Sequence, residues 1–214
     1  EKDNDGNLWI SSGYGLHHFN TKTNTLSAYK YDRFGTADYA RTTLLLNKDS
    51  LLIGTNSGLL LLDFTTDKFS KFPYINPDTN LEENLFVSKI VIDSRKNIWV
   101  VTEGQLIKRF LLNTGSYVNY NIKNVIDNVF DVFENTDKAL YIGTWRSGFK
   151  KYNAKDDKFE NITDEIGILT SETRVYSIQS GSDSTLWLES EDGLIKFNSS
   201  TKASSLFGRS WGFD

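Results

Sequence analysis

The sequence predicts an all-β fold of repeated, four-stranded antiparallel blades, and three observations predict it. Apolar residues come in short runs bounded by Gly, Asn, Asp and Ser turns, and no segment keeps a convincing helical period. Aromatics reach 14 % while Pro occurs only at Pro73 and Pro77, and the abundance of Thr, Tyr, Phe, Val and Ile suits strands. One local pattern returns five times at intervals of 42 to 47 residues, anchored on Trp9, Leu52, Trp99, Tyr141 and Trp187. A period of about 40–50 residues carrying four strands is that of a β-propeller blade. The 214 residues thus read as one propeller region with repeats at approximately 1–31, 32–77, 78–123, 124–168 and 169–214.

Each copy opens on a polar turn: "NDGN" (4–7), "NKDS" (47–50), "SRKN" (94–97), "NTDKA" (135–139) or "SDST" (182–185). The anchor strand follows, then a turn containing Gly15, Gly58, Gly104, Gly148 or Gly193. A second strand ends at Phe19, Leu62, Phe110, Tyr152 or Phe197. A third carries Leu26/Tyr29, Phe69/Phe72, Tyr117/Tyr120, Phe159/Ile162 or Ser204/Phe207. A fourth precedes the anchor in copies two to five, over 41–47, 87–93, 129–135 and 174–180. The first copy lacks that strand, and "GRSWGFD" (208–214) reads as the lead-in to another blade, so the five repeats are expected to be a fragment of a larger ring. One sheet cannot bury both its faces, so blades stack and the five anchors are expected as packing between them. A row of sugar-stacking platforms is the other reading of the same aromatics.

Composition narrows the function. The net charge is −4 with Lys and acids interspersed, and without a basic stripe nucleic acid is an unsuitable partner. No apolar stretch is long enough to cross a bilayer and no leader precedes Glu1, so no membrane contact is expected of this segment. The absence of Cys permits an extracytoplasmic address without requiring one, and the absence of Met points to an internal piece of a longer chain. An open stack exposes two apolar blade faces, which invites self-association or contact with neighbouring propeller domains.

Few residues suit catalysis. His17 and His18 are neighbours on a strand and point to opposite faces, so no metal site and no cofactor is implied. Glu103, Glu189, Glu191 and Asp192 lie near the turn after the anchor strand, where glycoside hydrolysis would want two facing carboxylates. The Asp-box of sialidases places Asp five residues before Trp, whereas Asp5 is four before Trp9, which argues against that family. The turn "GTWRSG" (143–148) holds one residue more than its counterparts in copies one, two and five, and the addition coincides with Trp145 and Arg146. An aromatic beside an Arg at a rim suits stacking on a sugar or anchoring a protein; alternatively, Trp145 folds back over its own blade. Tyr14 and Glu103 occupy comparable turn positions, so Trp145, Arg146, Tyr14 and Glu103 are the candidate ligand-binding residues.

The repeat resembles the two-component regulator propeller repeat. "DNDGNLWISSGYGLHHFN" (3–20) follows that pattern nearly throughout, departing at Ser11 and Ser12. "LLIGTNSGLLLLD" (51–63) and "LYIGTWRSGFKKYN" (140–153) keep its Ile-Gly-Thr core, which "NIWVVTEGQLIKRF" (97–110) loses. The resemblance implies the periplasmic sensor region of a hybrid two-component histidine kinase, usually built of seven-bladed propellers. It further implies an oligosaccharide ligand and a kinase outside this chain. The expected function is non-catalytic ligand sensing. A propeller glycosidase or polysaccharide lyase, and a protein-interaction scaffold, are the alternatives.

Overall fold

The computed structural model describes residues 1–29, 39–72, 86–102, 106–111, 116–120, 128–170 and 172–208. Glu103, Gly104, both prolines and the tail 209–214 lie outside the described residues.

Short strands joined by tight turns leave each repeat one solution, an antiparallel meander, and five such sheets follow one another. The first is three-stranded: β1 (Leu8–Ser12), β2 (Gly15–Asn20) and β3 (Thr25–Tyr29). Glu1 and Lys2 partly supply its missing inner strand, since Lys2 bridges Leu8 and Trp9 exchanges backbone hydrogen bonds with Glu1 at 2.8 and 2.9 Å. The second comprises β4 (Ala40–Asn47), β5 (Ser50–Thr55), β6 (Gly58–Asp63) and β7 (Lys68–Phe72). The third comprises β8 (Val87–Ile92), β9 (Ile98–Thr102), β10 (Ile107–Leu111) and β11 (Ser116–Tyr120). The fourth comprises β12 (Val129–Glu134), β13 (Leu140–Thr144), β14 (Phe149–Asn153) and β15 (Lys158–Asn161), and a single helical turn, α1 (Thr163–Ile166), follows it. The fifth comprises β16 (Val175–Ser180), β17 (Thr185–Ser190), β18 (Gly193–Asn198) and β19 (Ser204–Phe207). Inner strands β4, β8, β12 and β16 pack side by side, so the sheets are consecutive blades of a β-propeller.

Both faces of a blade are apolar, and each layer between blades joins one blade's anchor face to the next blade's opposite face. Trp9 packs with Leu51, Ile53 and Leu62, and Leu52 with Ile98 and Val100. Trp99 packs with Leu140 and Ile142, and Tyr141 with Leu186 and Leu188. Trp9, Leu52, Trp99 and Tyr141 are buried; Trp187, on the last described blade, is half-buried and meets Phe207 of its own sheet. At the other end Leu8 and Ile10, whose counterparts Leu51 and Ile53 are fully buried, stay 38 % and 43 % exposed.

The strand opposite each aromatic anchor sets a basic or imidazole side chain against it. Arg109 lies over Trp99 at 5.7 Å, Lys151 over Tyr141 at 5.7 Å, and Lys196 over Trp187 at 5.8 Å. His18 stacks on Trp9 at 4.4 Å. Across the layer between blades three and four, Arg109 donates to Tyr152 Oη (2.7 Å) and Asp157 Oδ2 (3.0 Å). Tyr120 (2.6 Å) and Tyr152 both donate to Asp157 Oδ1. Burial and the bond to Asp157 push both phenols up, while these donors and Arg109 outweigh the burial of Asp157 and hold its carboxyl below the usual range.

Candidate functional site

The blades have two ends, and closure of the backbone differs between them. At one end lie the turns joining each inner strand to its anchor strand, and those joining the two outer strands. Four inner turns share one geometry, set by the residue six before the anchor: Asp3, Asp93, Asn135 or Gly181. Its N–H reaches the carbonyl of Asn7, Asn97, Ala139 or Thr185 at 2.8–2.9 Å. Asp93 goes further, accepting from Asn97 Nδ2 (2.8 Å) and from Trp99 Nε1 (2.9 Å). Burial raises the Asp93 carboxyl, but the bonds from Trp99 and Asn97 hold it below its ordinary value. Where Tyr141 replaces Trp there is no indole N–H, and the side chain of Asn135 is buried with neither its oxygen nor its nitrogen bonded. The outer turns close on Asn20, Asp63, Asn153 and Asn198, each accepting two backbone N–H groups.

At the opposite end the anchor strand turns into the next. In all five blades the last anchor-strand residue is Ser or Thr, and its hydroxyl donates across the turn. Ser12, Thr55, Thr102, Thr144 and Ser190 reach the carbonyls of Gly15, Gly58, Leu106, Gly148 and Gly193 at 2.9–3.2 Å. This clamp closes the turn without using the side chains at its tip. The tips are therefore free to differ, and it is here that Tyr14 and the Trp145–Arg146 pair project.

The inner strands add a second set of residues at this end. Each begins with a bulge, which leaves Arg41, Ser88, Phe130 and Tyr176 unpaired. The residue before each strand is Tyr39, Phe86, Asn128 or Arg174. Every inner rim position thus presents two side chains around a small buried residue: Tyr-Ala-Arg, Phe-Val-Ser, Asn-Val-Phe and Arg-Val-Tyr.

At blades four and five these sets meet. Trp145 is half-buried; its backbone N–H donates to the Asn128 carbonyl at 2.8 Å and its ring lies 5.4 Å from that of Phe130. Phe130 in turn lies 5.2 Å from Tyr176. The Arg174 guanidinium covers Trp145 at 4.4 Å and pairs with Glu191 at 3.4 Å. So the Trp turns in toward its own blade's inner strand and is capped by the next blade, rather than standing clear. Beside it opens a cleft of about 720 Å³ lined by Arg146, Thr170, Thr173, Arg174, Glu191 and Asp192. Arg146 is exposed on one wall, and the hydroxyls of Thr170 and Thr173 stand 3.1 Å apart on another.

Of the sequence candidates, the structure places Arg146 on the wall of this cleft and Trp145 behind it, under Arg174. Tyr14 is 96 % exposed but belongs to blade one, and Glu103 is outside the described residues. Glu191 and Asp192 line the cleft. Arg174, which lines the cleft, and Phe130 and Tyr176 beside it flank the buried Val129 or Val175 at the head of an inner strand, and nothing in the repeat period marks them. Among the described residues no group of three or more His, Cys, Asp or Glu could hold a metal, so the arrangement offers hydrogen bonding, charge and ring faces.

No protein-family model matches the chain. It is 27 % identical over 200 residues to histidine kinase P4 of Formosa agariphila, covering 87 % of this chain and 14 % of the relative. Its structure superposes on the extracellular domain of BT4673 from B. thetaiotaomicron, assigned as a hybrid two-component system, with a TM-score of 0.76 and 16 % identity. That match covers 97 % of this chain and 27 % of that one. Virginiamycin B lyase from Staphylococcus aureus is similar in fold, with a TM-score of 0.72, 13 % identity, and coverage of 97 % and 68 %. The chain spans about a seventh of its curated relative and about a quarter of the matched extracellular domain. The chain is thus a stretch of β-propeller, similar in sequence to part of a histidine kinase and in fold to the extracellular domain of a two-component system.

Proposed function

We propose that this chain is the non-catalytic, ligand-sensing propeller of a hybrid two-component regulator, with an oligosaccharide as ligand and the histidine kinase outside this chain. The cleft between blades four and five carries the reading. Arg146 and Arg174 supply donors, Glu191 and Asp192 acceptors, and Thr170 and Thr173 both, while Trp145, Phe130 and Tyr176 supply ring surface alongside. A sugar hydroxyl is at once donor and acceptor, and its C–H face is apolar, so this mixed wall suits it. A periplasmic address goes with the same reading, and altered packing between propellers or protomers would relay occupancy. Isothermal titration of the complete sensor region against a panel of oligosaccharides tests it: heat from at least one glycan, lost in Arg174→Ala, is expected. A flat response to all of them overturns it.

A propeller lyase or glycosidase is the second reading, favoured by Glu191 and Asp192 in one cleft and by the lyase of similar fold. Against it, Glu191 is tied to Arg174 and to its backbone N–H (3.0 Å). New reducing ends or unsaturated products from incubated glycans would establish the enzyme.

A further inference from the structure

The rim between blades two and three repeats the feature found at the cleft. There the Arg41 guanidinium lies over Phe86 at 4.4 Å, as Arg174 lies over Trp145 at 4.4 Å. The two stacks are built from different positions. Arg41 is the bulge residue of β4 and Phe86 precedes β8; Arg174 precedes β16 and Trp145 sits in the turn of blade four. Arg41 Nε donates to Asn56 Oδ1 (3.0 Å) in the turn of blade two, which fixes the plane of an otherwise exposed guanidinium. Between the stacks the rim carries the bulge residues Ser88, exposed, and Phe130, half-buried against Tyr176. Guanidinium planes on rings, with ring faces and hydroxyls between, recur along one edge.

We propose that Arg41, Phe86 and Asn56 form a second subsite for the same ligand, which is therefore an extended oligosaccharide lying along the inner rim from blade two to blade five. This rests on the sugar-binding reading above. The two stacks belong to joints two blades apart, so only a ligand longer than one sugar ring touches both. The cleft holds one end and fixes orientation; the Arg41 stack adds affinity only for chains long enough to reach it.

The experiment titrates the complete sensor region with ladders of gluco-, xylo-, galacto- and uronate-containing oligosaccharides, from mono- to hexasaccharide. Affinity is expected to rise along one ladder. Arg41→Ala and Phe86→Ala lower it about tenfold for the longest members, worth ~1.4 kcal/mol, and leave the shortest binders unchanged. Arg174→Ala weakens every member. Arg41→Lys behaves as the Ala variant does, because it keeps the charge and loses the planar stack. If Arg174→Ala abolishes binding while Arg41→Ala and Phe86→Ala leave hexasaccharide affinity intact, the second subsite is overturned and the sensing reading stands. Wild-type protein that binds no member of any ladder overturns both.

Discussion

The two ends of the blades are closed by different chemistry. At the end with the Asx turns, closure can be tied to the core, and in blade three Asp93 fixes its turn and the indole of Trp99 together. Change is constrained there, and Asn, Asp and Ser recur from blade to blade. At the other end a Ser or Thr hydroxyl closes every turn from inside, accepting a tip backbone N–H in blades one, two, four and five, so that closure does not depend on which side chains stand there. Repetition thus marks where side chains hold the fold, and variation marks where they are free to meet something else.

The largest test of this contrast is Trp99→Ala. Loss of a buried Trp should cost ~3–5 kcal/mol in chemical denaturation, against less than half of that for half-buried Trp187→Ala; equal losses would erase the distinction between inner and end layers. Next comes Asp93→Ala, which strands the Trp99 N–H and the Asn97 amide at about 2–3 kcal/mol. The same carboxyl gives a pH signature. Its folded pKa is depressed, so its contribution is complete above the ordinary value of 3.8 and is lost as pH falls below that through the folded value. The urea midpoint should drop there, and less steeply in Asp93→Asn. A smaller gain is expected on rebuilding blade four as blade three: Asn135→Asp with Tyr141→Trp should recover about 1 kcal/mol over the sum of the single changes. At the free end, Arg146→Ala should move stability by under about 0.5 kcal/mol while weakening glycan binding.

The blades were legible because a period, a turn chemistry and an alternating pattern all agree in each copy. The inner strands were placed within a residue or two, and Trp9, Leu52, Trp99 and Tyr141 sit buried between blades where stacking requires them. The rim was half legible. Trp145 and Arg146 stood out because an inserted residue breaks the repeat. Arg174 and Arg41 did not, since what brings them to the rim is a bulge and a neighbouring blade, and neither leaves a mark on hydrophobic alternation. The capping of Trp145 by Arg174 is likewise a contact between residues far apart in sequence.

Two glycines set how these blades sit against one another. A methyl group at Gly54 would lie 2.5 Å from Val87 Cγ1, and one at Gly143 would lie 2.5 Å from the Val175 carbonyl oxygen. The Gly54 backbone therefore sits directly against the Val87 side chain between blades two and three, and backbone meets backbone between four and five. The equivalent position in blade three is Val101, whose side chain fills the space toward blade four. The arc is thus a pair of closely seated couples separated by a cushioned joint, spanned at its outer edge by Arg109, Asp157 and the two tyrosines. Each couple carries one arginine-on-ring stack. A ligand gripping both stacks would bridge the joint that Val101 fills, so its binding would bear on the angle between the two couples.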